Sequence, residues 1–167
     1  MKPSQNCRKS PIPPQTVSET AAVLKTVERV LESKLITGST AQADYILLEK
    51  DLPATARLLS ELSESDRRHA LLLGSLRRDQ GLPVFPPFSS RTYPYCLLED
   101  ADSHAPVVAA RILHARLAEK ETTSAALRYT LERARGEATR SLLQIILSED
   151  EAQQAALRAQ LQRLSCS

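Results

Sequence analysis

Apolar residues along the chain fall into four long runs with helical spacing, separated by short breaks and one long one. Between Thr16 and Lys50, the residues Leu24, Val27, Leu31, Leu35, Ala41, Tyr45 and Leu48 recur mostly at steps of three or four, which puts them on one stripe of a helix. Gly38 is the weak point of that stretch. Asp51 followed by Pro53 predicts a second helix start, because an Asp side chain caps free amides and Pro costs little in a first turn. This helix is expected to run to about Arg78. A third helix is expected from near Ser103 to about Arg135, with Pro106 in its first turn, Leu113, Leu117, Leu127 and Leu131 on its stripe and Gly136 marking its end. The fourth takes Glu137 to about Leu164 on Leu143, Ile146, Leu157, Leu161 and Leu164.

The long break begins at Gly81-Leu82-Pro83 and reaches about Asp102. It holds prolines at 83, 86, 87 and 94 and four of the chain's six aromatic rings, Phe85, Phe88, Tyr93 and Tyr95. A connection of that length is no hairpin. Its aromatics suit an ordered crossover laid along the bundle. The predicted fold is therefore all-α, a four-helix bundle of residues 16–167 with a long crossover between helices 2 and 3. Residues 1–15, with four prolines and little to bury, read as a disordered N-terminal tail.

Composition narrows the picture. There is no Trp and there are only four Gly, while good helix formers dominate, so a β-sandwich is disfavoured. A net charge of +2 offers no strong field for nucleic acid or an anionic membrane, and neither is expected as a partner. Arg67-Arg68 and Arg77-Arg78 read as solvated faces. Three cysteines without CxxC spacing, and no apolar run long enough to span a bilayer, lead to the expectation of a cytoplasmic protein. Phosphate-binding loops, nucleophile elbows and His-Glu-x-x-His pairs are absent from the sequence.

Polar residues interrupt the apolar stripes at informative places. Helix 2 reads Leu59, Leu62, Asp66, His69, Leu73, Leu76, and helix 4 reads Leu143, Ile146, Asp150, Gln153, Leu157, so a carboxylate and a second polar group three residues on point inward from each. Glu121, four residues after Leu117, is the matching acid of helix 3, with Glu119 as a competing choice. Glu151 and Gln154 form the alternative register in helix 4. Burying ionised carboxylates costs several kcal/mol apiece unless a cation, a hydrogen-bond network or protonation relieves it.

On these residues the chain resembles the ferritin-like superfamily, in particular the bacterioferritin and rubrerythrin type of di-iron bundle. In that family helices 2 and 4 each carry Glu-x-x-His, helices 1 and 3 each add a Glu, and a long crossover joins helices 2 and 3. Asp66 and His69 match the first motif, and the Gly-Leu-Pro that follows helix 2 is similar to one in bacterioferritins. The resemblance implies a metal site of Asp66, His69, Glu121, Asp150 and Gln153 holding iron or manganese, weak or mononuclear, with redox-linked chemistry, and a homo-oligomer by analogy. The departures are a Gly38 where helix 1 should carry its Glu, with Glu28 and Glu32 elsewhere on that helix, Gln in place of the second His, and Asp in place of Glu. They leave a second reading open: a degenerate bundle without metal, acting as a helical interaction or oligomerisation module whose inward polar residues select register.

Overall fold

The computed structural model describes residues 17–85 and 104–166. Four α-helices make up the fold: α1 (Ala21–Leu48), α2 (Pro53–Asp79), α3 (Ala105–Arg133) and α4 (Glu137–Ser165), with no strand among the described residues. The all-α four-helix arrangement expected from the spacing is present. Phe88, Tyr93 and Tyr95 of the crossover, and the tail before Val17, lie outside the described residues, and Phe85 is exposed.

The helices form a square in which α1 packs on α2 and α3, and α4 on α3 and α2. Two apolar clusters fix their directions. One joins Val23, Val27, Val30 and Leu31 of α1 to Ala70, Leu73 and Leu76 of α2, Leu127 of α3 and Leu143, Ile146 and Leu147 of α4. The other joins Leu48 to Ala56, Leu59 and Leu62, to Ala109, Ile112 and Leu113, and to Leu157. The first cluster thus takes the start of α1, the end of α2, the end of α3 and the start of α4. Helices α2 and α3 run parallel, and the link between them has to travel the length of the bundle, about 40 Å for helices of this size. That is the topology a long crossover serves.

Local chemistry sets the ends. Thr20, not a residue near Thr16, caps α1, its hydroxyl accepting from Val23 N at 3.3 Å. Pro53 opens α2 as expected, but the capping position is Leu52 rather than Asp51. Helix α2 closes in a Schellman turn: Gly81 N donates to Arg78 O and Leu82 N to Arg77 O, with Gly81 at φ +75°. Gly136, expected to close the third helix, instead caps the fourth with φ −79°. The buried Glu19 side chain accepts from Arg135 N at 2.9 Å and Gly136 N at 2.8 Å, tying the segment before α1 to the α3–α4 turn. Gly38 is the point of close approach between α1 and α2, where Ser63 Oγ donates to Gly38 O at 2.6 Å and a Cβ would meet Arg67 Cγ at 3.2 Å.

Candidate functional site

Between the two apolar clusters lies a polar layer, and every helix supplies one buried charge to it. Lys34 comes from α1, Asp66 from α2, Lys120 from α3 and Asp150 from α4. Lys34 Nζ lies 2.6 Å from both oxygens of Asp150 and 3.0 Å from Asp66 Oδ1. Lys120 Nζ lies 2.5 Å from Asp66 Oδ1 and 3.0 Å from Asp150 Oδ1. Thr37 Oγ1 donates to the remaining Asp66 oxygen at 2.8 Å. Each carboxylate therefore sees both ammonium groups, and two positive charges balance two negative ones inside a core where all four residues are buried.

The balance governs the titration of its members. Burial alone would raise the Asp66 carboxyl, but Lys34 and Lys120 outweigh it and hold the group below its ordinary range. Burial pulls the Lys34 ammonium down, while Asp66 and Asp150 more than compensate and move it up. Lys120 moves down, driven by burial and then by the Lys34 charge, against the pull of Asp66 and Asp150.

His69 lies at the edge of this layer, wholly buried. Its Nε2 is 2.8 Å from Glu149 Oε2, and the Glu149 carboxylate also pairs with Arg68 at the surface. Nδ1 faces Asp150 Oδ1 at 3.7 Å and has no hydrogen-bond partner. Burial, then the Lys34 charge, lowers the imidazole pKa, against the Glu149 hydrogen bond and Asp150, so the ring favours its neutral form. The Glu149 carboxyl is held low by its bonds to His69 and Arg68, against burial.

Of the expected ligand set, the structure brings Asp66, His69 and Asp150 together, with one donor atom of each within 4.8 Å of the others. Glu121 is not with them. It is exposed at the outer edge of the α3–α4 pair and pairs with Arg158 of α4 at 2.6 Å, because α3 turns Lys120 inward and places Glu121 a further 100° around the helix. Gln153 is half-buried toward the outer side of the α2–α4 seam, its Oε1 without a partner. Its neighbour Gln154 takes the inward position, donating to Ser124 Oγ at 2.7 Å, whereas Glu151 is exposed beside Arg128. Glu119 is half-buried, accepts from Ser33 Oγ at 3.0 Å and has its carboxyl raised by burial. Glu28 pairs with Arg77.

The residues sequence reasoning missed are Lys34 and Lys120. Their signal is the heptad: Val27, Lys34, Ala41 and Leu48 in α1, and Leu113, Lys120 and Leu127 in α3, share a seven-residue spacing with Leu59, Asp66, Leu73 and with Leu143, Asp150, Leu157. Space beside the four charges is scarce. A cavity of about 10 Å³, bounded by Ser33, Thr37, Glu119 and the two lysines, is the size of one water. No organic substrate fits there.

Comparison with known proteins found no family model that matches the chain and no curated protein with significant similarity to it. No described helix is long and apolar enough to cross a membrane.

Proposed function

We propose that this chain is a four-helix bundle of ferritin-like descent that works without a metal, its two lysine ammonium groups taking the places of two cations, and that it serves as a helical interaction and oligomerisation module. The carrying observation is that Lys34 Nζ and Lys120 Nζ each contact both Asp66 and Asp150. Descent is supported by the parallel course of α2 and α3 and by one inward charge per helix at a common level, on the same four helices that carry carboxylates in the di-iron bundles. Positive residues on α1 and α3 reverse the sign of the groups the metal would need there. A bridged iron or manganese pair loses half its anionic ligands, and the other half is already neutralised.

A second reading, a single iron or manganese ion on Asp66, His69 and Asp150, is favoured by the proximity of their donor atoms. It requires both ammonium groups to leave the carboxylates and remain buried without counter-charge, which costs several kcal/mol. Metal analysis separates the two. Protein incubated anaerobically with ferrous or manganous ion and then desalted should carry no stoichiometric metal by plasma mass spectrometry. One or two ions per chain, lost in His69→Ala, would establish the second reading instead.

A further inference from the structure

An amine and a carboxyl group in direct contact inside a buried core are the reactants of amide formation, and the side chains around Asp66 stand where that step needs them. Lys120 Nζ lies 2.5 Å from Asp66 Oδ1, which is one bond from the carboxyl carbon. The same Nζ is 3.0 Å from Asp150 Oδ1, an acceptor for a proton of the ammonium group. Lys34 Nζ donates to Asp66 Oδ1 at 3.0 Å, and Thr37 Oγ1 donates to the other Asp66 oxygen at 2.8 Å, where charge develops when the carbon is attacked. Lys34 and Asp150 are themselves 2.6 Å apart, so a proton passes between them without leaving the layer. The cavity of about 10 Å³ borders Lys34, Asp66 and Lys120 but not Asp150, and it has room for one water.

The geometry points to a covalent cross-link: an isopeptide bond between Lys120 Nζ and Asp66 Cγ, which the folded chain forms on itself with release of one water. The inference rests on the metal-free reading of this layer, since a metal on Asp66 would displace Lys120 from it. The ion-paired layer is the state before the reaction, and its atoms balance without any outside reagent. The Nζ–Cγ bond forms as the Cγ–Oδ1 bond breaks, and the oxygen leaves with two of the protons of the ammonium group. Asp150 takes the first of these and returns it to Oδ1 through Lys34; the second passes to Oδ1 as the water departs. Lys34 and Asp150 remain as one ionic pair, so charge stays balanced while two buried charges give way to a neutral amide. Contact between the reactants is equivalent to an effective molarity of about 10⁵–10⁸ M, which offsets the tendency of water to hydrolyse an amide. Asp150 touches Lys34 as closely, but it has neither the threonine hydroxyl nor the adjoining cavity, and Asp66 therefore takes the bond. The cross-link closes a ring from residue 66 to residue 120 and fastens α2 to α3 across the diagonal of the bundle.

Intact-mass spectrometry reads the bond directly, on the full native chain kept folded for a week at physiological temperature and then denatured. The protein should be lighter than its sequence by the mass of one water. Trypsin should release a branched peptide that joins residues 58–67 to residues 117–128 and is uncleaved at Lys120. Chain held unfolded in guanidinium over the same week should keep its full mass. Thr37→Val, which retains both lysines and both aspartates, should slow the loss of water about 10²-fold, the effect of removing one donor from a developing oxyanion. A native mass that stays at the sequence value overturns the proposal, as does a water lost equally by the unfolded chain or a branched peptide that runs through Lys34 or Asp150. The metal measurement tells the two readings apart: an unlinked chain without metal refutes the cross-link alone, whereas stoichiometric metal refutes the metal-free layer beneath it.

Discussion

Lys34 of α1 places its Nζ 2.6 Å from both oxygens of Asp150 on α4, across the diagonal of the bundle, where the two helices make few other contacts. That bond, with its counterpart between Lys120 and Asp66, joins helices that do not otherwise pack as neighbours. The four charges stand or fall together, because removing one leaves an unbalanced charge in the core.

Substituting Lys34 by Met should therefore lower stability by about 3–5 kcal/mol, the usual result of breaking a buried pair on one side. Replacing all four at once, Lys34→Met, Asp66→Leu, Lys120→Met and Asp150→Leu, should leave stability unchanged or raise it by about 1–4 kcal/mol. Urea unfolding followed by circular dichroism measures both. A single variant within about 0.5 kcal/mol of the native protein, the range of an ordinary surface change, would mean that the layer is not electrostatically closed.

Reversing the sign of the two lysines should turn a cation-free layer into a cation-dependent one. Lys34→Glu with Lys120→Glu gathers four carboxylates, which repel one another when nothing lies between them. This double variant should melt well below the native protein in chelator and recover on adding manganous or ferrous ion, while the native melting temperature stays indifferent to metal. Equal response of both proteins in a thermal scan would separate the lysines from any role in excluding metal.

His69 sets a pH dependence with a definite sign. Its pKa in the folded protein lies below the 6.5 of a free imidazole, so the unfolded chain takes up the proton first and stability falls as pH drops below about 6.5. Above that value the residue is neutral in both states and contributes no slope. Stability of His69→Gln should be flatter with pH through this window than that of the native protein, and unfolding titrations at several pH values decide it. Parallel curves would place the proton elsewhere.

The turn between α3 and α4 depends on a residue far away in sequence. Glu19 accepts both Arg135 N and Gly136 N, and its own amide donates to Gln80 Oε1 at 2.8 Å. Glu19→Ala should cost about 1–3 kcal/mol, because the buried Gly136 amide and the half-buried Arg135 amide lose their acceptor. Amide hydrogen exchange should show faster exchange at Arg135 and Gly136 specifically, and unchanged protection there would contradict the contact.

Helix number, order and approximate bounds were legible because the apolar stripes have a helical period and Pro53, Pro106 and the Gly81 turn mark ends by their backbone demands. Gly136 misled because a glycine after a helix commonly closes it through a positive φ, whereas here its role is to let Glu19 approach. Inward Asp66, His69 and Asp150 were readable from their place between leucines. Glu121 is an acid four residues after Leu117, but in α3 a shift of one residue rotates the inward position onto Lys120. A lysine is rarely buried without a partner, and its partners here lie 30 residues away or more, on other helices. The heptad spacing of Lys34 and Lys120 carries the signal only once pairing across helices is considered.

Two ammonium groups lie against both carboxylates that a metal would need. A crystal soaked with manganous or ferrous ion and measured at the metal absorption edge tests it at the atoms concerned. No anomalous peak is expected between Asp66 and Asp150, with Lys34 Nζ and Lys120 Nζ in density against their carboxylates. An anomalous peak within bonding distance of both aspartates, with either lysine side chain displaced from them, would contradict it.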